Sequence, residues 1–390
     1  MLKSNTEEET LNINANISKG ETNYFFYSLI LYSIAVLYLI PYDLKLPYAR
    51  FCLPILTIIL ILQLGYYKSK LLIADIIVVC LVLVVTSFNF SSYQLFRYSL
   101  PICLTAICFS GSPYIPIKRS YLVGLSWVSL ASMIYQMLSY RRLEFDNSQR
   151  VALSNGDPNV SGLFMLLFFY LCVKIKFKPG IILALVSTVL FLSRNYFLTL
   201  FIFFLLALLE KPLFKIFSKI HFSLIFLLAN LFGLLVGEFF LNQVEVGFIY
   251  DTGASRLLSF NDKSNLVRFE ANRFLINSYV NDLNLALKGY GENYESVFRP
   301  IGAIIHNSFL EVIAYTGIPL GILYFFILLK VISGYCTQEN LKYIFSYLFF
   351  CLFLHTGLQG VAPLLFISIL AMSVETQKSN RIILFNNLEY

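Results

Sequence analysis

The amino-acid sequence predicts an all-α, polytopic membrane protein: a bundle of about 12 transmembrane helices with a large helical loop outside the membrane. Of its 390 residues, 58% are hydrophobic and 13% are charged, whereas soluble globular chains average about 45–50% apolar and about 25% charged residues. Apolar runs at 24–40, 71–88, 222–240 and 313–329 each approach the roughly 20 residues that cross a bilayer as a helix. A soluble chain does not need so many runs of this length.

The apolar segments and the polar breaks between them place the predicted helices. They lie near residues 24–41, 48–66, 71–89, 93–110, 120–138, 160–176, 179–193, 195–210, 221–241, 303–333, 342–354 and 360–374. Together they form one transmembrane domain, 23–375, between a polar N-terminal tail, 1–22, and a C-terminal tail, 376–390. The N-terminal tail lacks the features of a cleaved secretory signal and is expected to be disordered in the cytoplasm.

Lysines and arginines set the predicted orientation, because the cytoplasmic loops of membrane proteins carry an excess of both. With the N-terminus inside, the basic residues of most short loops fall on the inner side: Lys68, Lys70, Lys118, Arg119, Lys174, Lys176, Lys178, Lys211, Lys215, Lys219, Lys330, Lys342, Lys378 and Arg381. The first outer turn, near Lys45 and Arg50, is the exception. Both termini are therefore predicted to be cytoplasmic. The net charge of +7 reflects this topology and anionic lipid, not nucleic acid.

The segment 179–210 can be interpreted in two ways. One long helix would place Lys211 and Lys215 outside, whereas two short helices that meet at 193–195 keep them inside. Each short helix would span about 22–24 Å, against roughly 30 Å of hydrocarbon, so Arg194 is expected below the outer surface. An arginine there favours a wet cavity or a charged partner; the alternative is that it snorkels to the outer headgroups.

Two long loops are predicted outside the membrane, at 139–160 and 242–302. In the second, apolar residues at helical spacing predict a helix over 266–287: Val267, Ala271, Phe274 and Leu275. Ser264 is a candidate N-cap, and Gly289-Tyr290-Gly291 would end the helix. On this helix Arg268 and Arg273 would point about 140° apart, and a local ion pair with Glu270 is the simpler role for Arg273.

Arginines around an outer cavity suit a phosphate-bearing lipid, because guanidinium binds phosphate oxygens through two parallel hydrogen bonds. His306 opens the tenth predicted helix at its outer end, and histidine can exchange a proton near neutral pH. A lone histidine at a helix end is more often structural than catalytic, and His221 and His355 fit a site less well. Without a phosphate loop or dinucleotide motif, or a cysteine pattern typical of metal sites, the sequence predicts no cofactor and no metal.

Four motifs lie in order on the predicted outer side. They are Gly156-Asp157-Pro158-Asn159, Leu192-Ser193-Arg194, the Arg268 to Arg273 segment with its following Gly-Tyr-Gly, and His306-Asn307 with Leu310-Glu311 and Gly317. Across most of its length the chain resembles the O-antigen ligase and O-antigen polymerase superfamily of bacterial envelope glycosyltransferases. It departs from that pattern at Asn272, where the family usually has an aromatic residue, and at 318–321 after Gly317. The second departure weakens a ligase assignment in particular.

The resemblance implies a metal-independent glycosyltransferase on the outer face of the bacterial inner membrane. The donor would be a glycan on undecaprenyl pyrophosphate. The acceptor would be another lipid-linked repeat unit in a polymerase, or lipid A-core in a ligase. Membrane lipid and a chain-length regulator protein are further implied partners, and nucleic acid is not.

The resemblance also implies roles for individual residues. Arg194 and Arg268 would neutralise the leaving pyrophosphate, and His306 would orient or deprotonate the acceptor hydroxyl. The implied substrate-binding residues are Arg150, Arg273, Asn307 and Asn159.

Two alternatives of another class remain open beside the polymerase and the ligase. A lipid-linked oligosaccharide transporter would predict two related halves or paired broken helices, and the sequence has no halves of matching pattern. A membrane scaffold without activity would leave Arg194 without a purpose at its predicted depth.

Overall fold

The computed structural model describes about half of the chain. The described residues are 115–117, 119–139, 141–143, 149–153, 157–217, 230–231, 234–235, 263–298, 300, 304–354, 357–358 and 362–374. The predicted tails, the first four predicted helices, most of the helix at 221–241 and residues 242–262 of the second outer loop lie outside the described residues.

Helices dominate these ranges, as the sequence predicts, and the few described strands have three residues each. In chain order the elements are β1 (Ile115–Ile117), α1 (Arg119–Ser139), β2 (Arg141–Leu143), β3 (Gln149–Val151), α2 (Pro158–Ile175), α3 (Lys178–Phe191), α4 (Arg194–Leu208), α5 (Glu210–Phe217), α6 (Lys263–Asn281), α7 (Leu283–Lys288), α8 (Tyr294–Phe298), α9 (Ser308–Thr316), α10 (Ile318–Gly334), α11 (Leu341–Leu352), α12 (Ala362–Ala371) and β4 (Met372–Val374). β1 pairs in parallel with β4, and β2 pairs antiparallel with β3.

Helix length and composition support membrane crossing only in part. Among the described helices, α1 and α2 are long and apolar enough to span a bilayer. The other apolar helices, α3, α4, α10 and α11, have 14, 15, 17 and 12 residues. The helical class is therefore confirmed, and the number of about 12 membrane spans stays a prediction.

Two predicted helices are each divided in the structure. The prediction of a single helix over 303–333 is wrong, because Gly317, with a φ of 79°, separates α9 from α10.

The helix predicted over 266–287 breaks at Asp282, whose carboxylate accepts a hydrogen bond from the Leu285 amide at 3.1 Å and caps α7. Ser264 is not an N-cap, since α6 already begins at Lys263. Gly289 ends α7, as predicted for the Gly-Tyr-Gly segment.

Basic side chains gather at one end of the helices, which we call the basic end: the starts of α1, α3 and α11 and the ends of α2, α4 and α12. Arg119 donates from Nε to the carbonyl of Ile175 at 2.9 Å, joining α1 to α2. Lys174 donates to the carbonyl of Leu370 at 3.2 Å, joining α2 to α12. Lys342 forms an ion pair with Glu210 at 3.1 Å. Other lysines at this end include Lys176, Lys178, Lys211 and Lys215.

A buried aromatic core fixes the helices against one another. The Tyr170 ring of α2 packs on Phe203 of α4 and Tyr343 of α11, with centroids 5.5 and 5.2 Å apart. Tyr347 stacks on Phe366 of α12 at 3.9 Å. Because these rings occupy successive positions between four helices, they set the relative positions of the helix ends that carry the predicted site.

Candidate functional site

Arg194 begins α4 at a sharp junction between two helices. Leu192 has a left-handed conformation, with φ of 47°, and the Ser193 hydroxyl accepts a hydrogen bond from the amide of Tyr196. The Tyr196 hydroxyl donates to the carbonyl of Ala184 at 2.9 Å, which holds α4 against α3. The prediction of two short helices that meet at 193–195 is confirmed. Arg194 itself is half-buried.

Asn159 lies beside this junction. The hydroxyl of Ser193 donates to Asn159 Oδ1 at 3.0 Å. Asp157 caps α2 by accepting a hydrogen bond from the amide of Asn159 at 2.8 Å, and Pro158 occupies the first helical turn. Helix capping therefore accounts for much of the Gly-Asp-Pro-Asn motif. The same turn places the side-chain amide of Asn159 next to Ser193, the residue that precedes Arg194.

The C-terminal end of α11 joins the helices that carry Arg194 and His306. Asn195 donates from Nδ2 to the carbonyl of Phe350 at 2.9 Å. Ser308 donates from its hydroxyl to the carbonyl of Leu354, and the same hydroxyl accepts from the amide of Gly357 at 2.9 Å. The N-termini of α4 and α9 are thus attached to the same end of α11, opposite the basic end.

His306 precedes α9 and is half-buried. Its Nδ1 lies 2.6 Å from the carbonyl oxygen of Ile304. A carbonyl oxygen only accepts hydrogen bonds, so Nδ1 carries the proton in the neutral ring and Nε2 holds the lone pair. In this tautomer Nε2 is the nitrogen that can accept a proton, as a general base does.

Asn307 is the N-cap of α9. Its Oδ1 accepts from the amides of Phe309 and Leu310 at 2.9 and 3.1 Å, and its side chain is 3% exposed. The amide oxygen is therefore committed to the helix. A role for Asn307 in holding His306 or a sugar hydroxyl stays a prediction for its amide nitrogen.

The outer-loop helices pack on α9 through a second apolar cluster. Ala271 and Leu275 of α6 belong to this cluster, together with Ile305, the residue before His306. The Tyr279 hydroxyl donates to the carbonyl of Ile313 at 2.9 Å. Arg268, three residues before Ala271, is half-buried, whereas Arg273 is exposed. The structure therefore docks the arginine helix against the helix that follows His306.

Two glycines make this docking possible. Gly289 has φ of 71° and ψ of −179°, and Gly317 has φ of 79° and ψ of 168°, a region that only glycine occupies readily. A Cβ on Gly289 would lie 2.4 Å from the backbone nitrogen of Gly317. The adjacent amide of Tyr290 donates to the carbonyl of Ala314 at 2.7 Å. The glycines of two separate sequence motifs are thus in direct backbone contact.

Two buried polar residues near His306, Tyr294 and Glu311, were not predicted as site residues from the sequence. The Tyr294 hydroxyl accepts a hydrogen bond from the amide of Ile305 at 3.0 Å. Burial first, and then the nearby Glu311 carboxylate, raise the pKa of Tyr294 well above its usual value. Glu311 is 1% exposed. It appeared in the sequence only as part of a motif, and its burial depends on contacts between α9 and the outer loop that no local pattern encodes.

Arg150 lies on the β2–β3 hairpin, in the first predicted outer loop. Its backbone is in register with Arg142. The hairpin is followed by the buried residues Ala152 and Leu153, and the amide of Leu153 donates to the hydroxyl of Ser161 on α2 at 2.8 Å. Arg150 is therefore on the same side of the helices as Asn159. Its predicted contact with substrate stays a prediction.

Comparisons with known proteins find no match for this chain, whether with models of protein families, with curated proteins or with solved structures. Within the described ranges, no group of three or more His, Cys, Asp and Glu side chains is placed to hold a metal ion. The expectation of a metal-independent reaction stays a prediction.

Proposed function

We propose that the chain is a membrane glycosyltransferase that polymerises undecaprenyl-pyrophosphate-linked oligosaccharide repeat units of O-antigen or a related surface polysaccharide. The observation that carries the proposal is the shared attachment of two helix N-termini, those of α4 and α9, to one end of α11. These N-termini bear Arg194 and His306, the cation and the base that such a transfer uses.

The charge distribution along the helices favours an outer site. Because basic residues favour the cytoplasmic side, the basic end would face the cytoplasm, with Lys174, Lys178 and Lys342 at the inner surface. Arg194 and His306 are at the opposite end and would face outwards, where the lipid-linked glycan is delivered in the proposed reaction. Exposed apolar side chains on α3 and α4, such as Val189 and Phe201, would contact lipid tails.

The proposed reaction is a displacement at the anomeric carbon of the donor glycan. The acceptor hydroxyl oxygen forms the new glycosidic bond while the bond from the anomeric carbon to the pyrophosphate oxygen breaks. His306 Nε2 accepts the proton of the hydroxyl, and undecaprenyl pyrophosphate leaves with the bonding electron pair. Arg194 and Arg268 would stabilise the negative charge that grows on the leaving group.

The docked outer loop supports the placement of Arg268 in this scheme. Its helix packs in one apolar cluster with Ile305, next to His306. Arg273 is exposed on the same helix and suits contact with a glycan or phosphate that approaches from outside. Asn159, hydrogen-bonded to Ser193, and Arg150 on the hairpin would bind substrate around Arg194.

The test is a reconstituted reaction with purified wild-type protein in liposomes, a lipid-pyrophosphate-linked repeat unit, a chelator and no nucleotide. A ladder of longer lipid-linked glycans supports the polymerase. Transfer that occurs only when lipid A-core is supplied moves the assignment to a ligase. Movement of labelled lipid across the bilayer without transfer to either acceptor contradicts an enzyme and indicates a transporter.

A further inference from the structure

We propose that Tyr294 is a positioning residue for His306, because its buried hydroxyl holds the backbone segment that orients the imidazole. The catalytic meaning of this assignment rests on the proposed function. The contacts themselves do not, and they can be tested without any transfer reaction.

Two hydrogen bonds to a single peptide group link Tyr294 to the imidazole ring of His306. The amide of Ile305 donates to the Tyr294 hydroxyl at 3.0 Å. The carbonyl of Ile304, which belongs to the same peptide group as that amide, accepts from His306 Nδ1 at 2.6 Å. One rigid peptide plane therefore has Tyr294 on its N–H and His306 on its C=O, so fixing the first fixes the direction of the second.

The Tyr294 hydroxyl is itself held firmly. The side chain is 0% exposed, and its ring packs on Tyr315 and Phe298 with centroids 4.1 and 4.8 Å apart. The neighbouring titratable groups that raise the pKa of this hydroxyl are Glu311, Tyr315 and Glu295. A ring packed on two sides offers the Ile305 amide an acceptor that cannot move away.

The Ile305 amide depends on the Tyr294 hydroxyl as its hydrogen-bond acceptor because it is buried. Ile305 is 0% exposed, and a buried amide without a partner loses the hydration that it had in the unfolded chain. Replacement of the Tyr294 hydroxyl by hydrogen would free the peptide plane to rotate towards another acceptor. Rotation of the plane turns the Ile304 carbonyl away from His306, so the imidazole is no longer held in the Nδ1–H tautomer.

Tyr279 provides a matched control. It belongs to the same apolar cluster, and its hydroxyl also bonds to the backbone, donating to the carbonyl of Ile313 at 2.9 Å. That carbonyl lies near the far end of α9 from His306. Tyr279→Phe therefore removes an equivalent hydroxyl contact without touching the 304–306 segment.

The first readout is the tautomer of His306, measured by solid-state nitrogen NMR on histidine-labelled full-length protein in lipid. The chain has only 3 histidines, and His306→Gln identifies the His306 signal by its loss. Wild type and Tyr279→Phe are expected to show the Nδ1–H tautomer, and Tyr294→Phe a mixture of both tautomers. An unchanged His306 spectrum in folded Tyr294→Phe overturns the proposal.

The second readout is amide exchange in the wild-type protein, which needs no variant to fold. The Ile305 amide is expected to exchange slowly, and rapid exchange overturns the proposal. In the glycan assay, Tyr294→Phe is expected to lower kcat about 10- to 100-fold, the effect of a small misplacement of a catalytic group, with KM unchanged. A wild type that is inactive with every acceptor contradicts the proposed function, while the tautomer result still decides the role of Tyr294.

Discussion

Substitution of Gly289 by alanine is expected to detach the outer-loop helices from α9. The backbone at Gly289, with φ of 71° and ψ of −179°, costs a residue with a Cβ about 1–3 kcal/mol. The new Cβ would also lie 2.4 Å from the backbone nitrogen of Gly317 and 2.6 Å from the carbonyl oxygen of Tyr315. Backbone atoms cannot move aside as a flexible side chain can, so we expect the upper part of that range, about 3 kcal/mol.

A loss of about 3 kcal/mol corresponds to a roughly 100-fold larger population of the undocked loop, since about 1.4 kcal/mol is a tenfold change in an equilibrium constant. The direct assay is amide exchange at Tyr290, whose N–H is bonded to the carbonyl of Ala314 at 2.7 Å. Its protection should fall by about the same factor.

The matched control is Gly124→Ala, because a Cβ on Gly124 meets nothing within 4 Å. Gly124 lies within α1, where alanine is favoured over glycine by about 1 kcal/mol. This variant should leave Tyr290 protection unchanged. Equal protection in Gly289→Ala and wild type would refute the assignment of these glycines as the contact that docks the loop.

Two further predictions concern a helix cap and a thiol. Asn307→Ala removes the acceptor of two α9 amides and should lower the free energy of unfolding by about 1 kcal/mol, which is measured as a lower melting temperature. Asn307→Asp should restore most of this stability. Equal melting temperatures of the wild type and both variants would contradict the capping role. Burial raises the pKa of Cys336 from 9.0 to about 11. Between pH 9 and 11 the folded thiol keeps its proton while the unfolded thiol loses it, so the contribution to stability is fully present below pH 9, falls progressively over this range and is lost once the pH has risen through about 11. At pH 9 iodoacetamide should modify Cys336 more slowly in the native protein than in the denatured chain, and equal rates measured by mass spectrometry would contradict this.

Helix positions could be predicted where apolar runs have clear ends. The junction before Arg194 followed from charge alone, because one long helix would have placed Lys211 and Lys215 on the wrong side. The break at Gly317 was missed for a physical reason. The apolar run continues across Gly317, and the tertiary contact with Gly289 that stabilises its left-handed backbone joins residues 28 positions apart.

The site was predictable in its residue types and only partly in its geometry. Short motifs gave Arg194, Arg268 and His306, but they could not give the pairing of the Tyr294 hydroxyl with the amide of Ile305. They also could not show that the oxygen of Asn307 is committed to a cap. Both features arise from the fold, since one depends on packing between the outer loop and α9 and the other on where α9 begins.

The most direct test of the central claim compares the glycan transfer rates of wild type, Arg268→Ala, His306→Ala and Lys215→Ala at matched amounts of folded protein. We predict a loss of about 10²–10³-fold for the arginine variant and about 10²–10⁴-fold for the histidine variant. Lys215→Ala removes a positive charge from the basic end and should keep the wild-type rate. Full activity in both Arg268→Ala and His306→Ala would contradict an outer site built on these residues.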